Sequence, residues 1–95
     1  MMEKRGRYKL LQELQKKRRK IDLIDQKLLG LLNRRLRIAL KMGKIKKEMG
    51  KKIYDPVREK EVLERLKRKN EGPLKKKDLK KIFTTIMKVC RRTQR

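Results

Sequence analysis

The sequence predicts an all-α protein of three helices with a very long first helix. Three observations carry this. Leucine and isoleucine recur at helical spacing through the first half without a proline, the dipeptide Asp55-Pro56 restarts the pattern, and the link Asn70 to Pro73 breaks it again.

The first helix is expected from about Arg7 to Met49, roughly 60 Å of α-helix at 1.5 Å per residue. A heptad grid set on Leu14 gives one seam of Leu14, Ile21, Leu28, Arg35, Met42 and Met49. A second seam holds Leu10, Lys17, Ile24, Leu31, Ile38 and Ile45. Beside them runs the row Leu11, Arg18, Asp25, Leu32, Ala39 and Lys46, widening the stripe to that of a core-facing helix. Gly30 and Gly43 each cost up to about 1 kcal/mol inside a helix, and Gly50 ends it.

The second helix is expected over about 55–69, with Asp55 as N-cap and Pro56 at the first helical position. Val62, Leu63 and Leu66 form its apolar face, and one turn back along that face stand Arg58 and Glu59, which are expected on the core side. The third helix, about 74–94, carries Leu79, Ile82, Phe83, Ile86 and Met87 on one face. That face continues to Cys90 and Gln94.

Composition excludes much chemistry. The chain has no histidine, serine or tryptophan and a single cysteine, Cys90, so a Ser/His triad, a His/Cys zinc site and an intrachain disulfide are ruled out. No run approaches the roughly 20 apolar residues of a membrane span and no signal peptide opens the chain, so a cytoplasmic protein is expected. A chain of 95 residues is expected to form a single domain over 1–95. If most of it is three helices its core is thin, and burial needs a partner chain.

A formal net charge of +23 would attract polyanions and small anionic ligands alike. Only Tyr8, Tyr54 and Phe83 are aromatic and no nucleic-acid motif is present, so base stacking has little to work with. Nonspecific polyanion binding stays open. Arg35 and Lys46 are more specific, because they stand on or beside a stripe that packing would fill with hydrophobes. A buried charge is costly unless it is paired. From this helix alone, Arg35 reads equally as a snorkelling or paired arginine and as a ligand-binding one. Arg35 and Lys46 lie on nearly one face, roughly 16 Å apart along the axis, so two long side chains leaning together could bracket a small dianion. Arg18 lies about 25 Å from Arg35 along the same helix, too far to share that ligand except from an antiparallel partner chain.

These residues resemble the all-α class of chorismate mutases, which occur alone or fused to prephenate dehydratase or dehydrogenase domains. The resemblance runs from about Leu14 to Gln94. It rests on Arg18, Ile21-Asp22 and Asp25, Leu28, Leu31, Leu32, Arg35, Gly43, Lys46, Asp55, Arg58-Glu59 and the stretch Phe83 to Gln94. The resemblance implies an intertwined helical homodimer, each site completed by Arg18 of the other subunit, that rearranges chorismate to prephenate without a metal or cofactor. It implies that Arg35 and the partner-derived Arg18 bind two carboxylates, with Arg58 assisting. It also implies that Lys46 and Gln94 donate to the ether oxygen, and that Glu59 and the backbone near Asp55 hold the ring hydroxyl. Met42, Val62 and Met87 would wall the pocket, while Asp22 and Asp25 read as structural partners of nearby basic groups. Cys90 stands where the family commonly has serine, a weaker donor to a carboxylate. One residue follows Gln94, so fraying is expected there. An isochorismate pyruvate-lyase of the same fold and a basic helical nucleic-acid binder are the alternatives. The set Asp55, Arg58, Glu59 and Gln94 favours the mutase.

Overall fold

The computed structural model describes residues 2–94, with side chains over 6–94. Three helices follow in order, α1 (Met2–Glu48), α2 (Pro56–Lys69) and α3 (Lys76–Gln94), and no strand occurs among the described residues. Helix α1 thus begins ahead of Arg7. Methionine, glutamate, lysine and arginine at positions 2–5 are good helix formers, and the single glycine at position 6 does not outweigh them.

The chain divides into two compact units, Met1–Asn33 and Arg34–Arg95. In the first, Leu10, Leu14, Ile21, Ile24, Leu28 and Leu31 are all exposed, at 46–65% of their full area. The stripe that periodicity marks as buried is therefore uncovered in the single chain, because this unit holds no second element to lay against it.

The second unit is built from the end of α1 with α2 and α3. Its buried apolar residues are Ala39, Leu79, Met87 and Cys90. Of the face expected on α3, Phe83 and Ile86 are half-buried and Ile82 is exposed; α2 holds Val62, Leu63 and Leu66 half-buried. The core is as thin as the chain length implies.

Each break has a local cause. After α1, Gly50 takes φ 67°, its N–H donating to Lys47 O at 3.2 Å while Lys51 N–H donates to Lys46 O at 2.8 Å. This is the Schellman closure, whose left-handed residue suits glycine. Asp55 then caps α2, its Oδ1 accepting from Arg58 N at 3.0 Å, and Pro56 follows at the first position. Between α2 and α3, Asn70 accepts from Gly72 N at 2.9 Å and donates to Leu74 O at 2.7 Å. That loop holds Leu74 outside the helix, so α3 starts at Lys76 rather than at residue 74. Among the described residues, no helix is long and apolar enough to cross a membrane.

Candidate functional site

A cavity of about 230 Å³ lies within the second unit, walled by all three of its helical segments and by the return after α1. Of the residues singled out from sequence, Arg35, Lys46, Asp55, Arg58, Glu59, Cys90 and Gln94 line it, as do Met42, Val62 and Met87. Arg18 does not. It belongs to the first unit, where it is exposed.

The Schellman closure decides how Lys46 is held. By turning the chain back after the last turn of α1, it brings the carbonyl of Ile53 to 2.8 Å from Lys46 Nζ. The ammonium also donates to Gln94 Oε1 at 3.2 Å. Two of its three donors are thus engaged, leaving one for a ligand. Gln94 uses its oxygen on Lys46, so its amide N–H groups remain to donate as well. A lysine and an amide that orient each other next to an apolar wall make a preorganised donor pair of the kind that stabilises developing negative charge on oxygen.

This pairing depends on Gly43. The residue is buried, and a Cβ added there would stand 2.9 Å from the carbonyl oxygen of Gln94, 3.0 Å from its Cβ and 3.1 Å from its Cα. The end of α3 approaches α1 so closely that only hydrogen fits. Gly43→Ala is expected to push Gln94 off Lys46. It should also lower the melting temperature, since overpacking costs about 1–3 kcal/mol against a helix-propensity gain of up to about 1 kcal/mol. A thermal melt and the structure of the variant check both; an unchanged Lys46–Gln94 contact and melting temperature would show that the close approach does not matter.

Arg35 is held from α3. Its Nη1 donates to the buried Sγ of Cys90 at 2.8 Å, which fixes the guanidinium while leaving most of its N–H donors free. The cysteine at this position thus acts as an acceptor that orients the arginine. Arg58, expected on the core side, is exposed and pairs with Glu61 at 3.7 Å across one turn, although it lines the cavity. Such an exposed pair contributes little to stability and leaves Arg58 free to turn toward a ligand. The Asp55 carboxylate is engaged in capping α2.

Glu59 has a partner that the sequence reading missed. Arg91 Nη1 donates to both its carboxylate oxygens, at 2.7 and 2.5 Å, and the guanidinium lies over the ring of Tyr54, 4.4 Å from its centroid. Arg91 also lines the cavity. The available signal was spacing: Arg91 follows Met87 by one turn and precedes Gln94 by three residues, on the face already marked as turning polar.

The cavity therefore collects Arg35, Lys46, Arg58 and Arg91 against Asp55 and Glu59, beside Met42, Val62 and Met87. Fold and cavity together define an all-α protein with a cation-lined site for a small anionic organic molecule. The family model for chorismate mutase type II matches residues 17–95. The chain belongs to that family. It is 34% identical over 84 residues to a bifunctional chorismate mutase/prephenate dehydratase of Aquifex aeolicus, a match covering 84% of this chain and 23% of that protein. It is 36% identical over 77 residues to a 3-dehydroquinate dehydratase of Pyrobaculum aerophilum, covering 81% of this chain and 22% of that one. The chain thus spans less than a quarter of the length of these two curated relatives. A chorismate mutase from Helicobacter pylori, solved in complex with prephenate, superposes with a TM-score of 0.80 at 40% identity, covering 85% of this chain and 88% of that one.

Proposed function

We propose that the chain catalyses the Claisen rearrangement of chorismate to prephenate, as a cytoplasmic homodimer in the synthesis of aromatic amino acids. The observation that carries this reading is the convergence of Arg35, Lys46 and Gln94 on one cavity, each oriented by a partner within it. A related enzyme of the same fold holds prephenate in its crystal structure, which supports the substrate class.

The reaction breaks one C–O bond and forms one C–C bond within a single molecule, so no nucleophile or proton transfer is needed. What the protein supplies is orientation and charge. Arg35 offers a planar fork to a carboxylate, with Arg58 and the partner's Arg18 completing the anion clamp. Lys46 and Gln94 donate to the ether oxygen as it gains negative charge. Glu59 accepts from the ring hydroxyl near the first turn of α2. Met42, Val62 and Met87 shape the apolar wall that keeps the enolpyruvyl arm folded over the ring. The uncovered apolar stripe of α1 is a surface that a second copy of the same helix would bury, and such a dimer would carry two equivalent sites.

The test is loss of chorismate followed by ultraviolet absorbance, with the product identified, repeated on Arg35→Ala. Saturable formation of prephenate, reduced at least a hundredfold in the variant, is expected. Release of pyruvate from isochorismate instead would favour the lyase. No turnover by a folded dimer, with polyanion binding indifferent to Arg35→Ala, would leave only nonspecific binding through the basic surface.

A further inference from the structure

Tyr54, Arg91 and Glu59 form a stack across three parts of the second unit: the segment before α2, the last turn of α3 and the first turn of α2. Glu59 and Asp55 are the acidic residues of the cavity wall, and Asp55 is occupied with its helix cap. A carboxylate on the wall of a site meant for a dianion raises a problem of charge, since it would repel the ligand that its neighbours attract. A single Arg91 nitrogen placed between both Glu59 oxygens answers it. The remaining lone pairs of Glu59 can still accept from a neutral hydroxyl. The face of Tyr54 holds the guanidinium plane, so the arginine stays on the carboxylate rather than reaching across to the ligand itself.

We infer that Arg91 is a positioning residue for substrate selection: it neutralises Glu59 and fixes its carboxylate to receive the ring hydroxyl, acting through Glu59 and not on the reacting atoms. The inference rests on the reading of the cavity as a chorismate site. A hydroxyl contact of this kind is made in the ground state as well as in the transition state, so its loss appears mainly in KM.

The experiment is a kinetic double-mutant cycle on the full chain. Arg91→Met is expected to raise KM about tenfold with kcat changed less than threefold, and Arg91→Lys to recover only part of the loss, because a point charge can still meet the carboxylate but lacks the plane that Tyr54 holds. In a Glu59→Gln background, Arg91→Met should change KM less than twofold, since there is no charge left to neutralise. Circular dichroism on each variant separates this from unfolding. Full and equal effects of Arg91→Met in both backgrounds, or none in either, would overturn the inference while leaving the mutase reading intact. Absence of chorismate turnover in the unsubstituted chain would instead remove the reading on which it rests.

Discussion

Lys46→Met is expected to lower kcat roughly a hundred- to a thousandfold with the fold preserved, the loss found when one preorganised donor to a developing oxyanion is removed. Methionine keeps an unbranched chain of similar volume, so the apolar lining persists. What disappears is the ammonium that bridges Ile53 O and Gln94 Oε1 and presents its third donor to the cavity. The Gln94 amide, freed from its partner, also loses its fixed orientation. On the proposed reading the bond being broken develops charge only in the transition state, so kcat should fall much more than KM rises. A kcat within tenfold of the unsubstituted chain would remove Lys46 from the chemistry.

Mixing two inactive chains is expected to restore activity. Arg18→Ala and Arg35→Ala each remove an arginine that, on the proposed reading, serves one site from opposite subunits. A heterodimer of the two would collect both defects in one site and leave the other whole. After unfolding and refolding an equimolar mixture, about a quarter of the unsubstituted specific activity should return, since half the dimers are mixed and each carries one intact site of two. No recovery, with mixed dimers verified by mass spectrometry, would mean that Arg18 serves its own chain or none.

How far the site was legible depended on whether a residue's role shows along one helix. Arg35 and Lys46 stood out because each stands on or beside an apolar stripe, and Asp55 because an aspartate before proline is a helix start. The three helices were legible for the same reason. Gly43 carries part of the resemblance, but helix propensity alone reads it as a cost, since its use appears when Gln94, 51 positions later, arrives within a Cβ's reach. Arg91 was hidden among thirty-four basic residues, and only its placement between Glu59 and Tyr54 separates it from a solvated face. Arg58 was expected inward because helical phase put it beside Glu59, but a Glu61 three residues on competes for it at the surface. The α1 stripe expected to be buried stays exposed in the single chain, and on the proposed reading a second copy would cover it.

The thin core sets how this protein responds to dilution. With Ala39, Leu79, Met87 and Cys90 as the buried apolar residues and nine leucines and isoleucines of the first unit left open, the proposed dimer would supply most of the apolar burial. In such a dimer folding would be a second-order event: the melting midpoint should climb with protein concentration, and at low expression chains would spend more time unfolded and open to proteases. In the cell, activity per chain would itself rise with abundance.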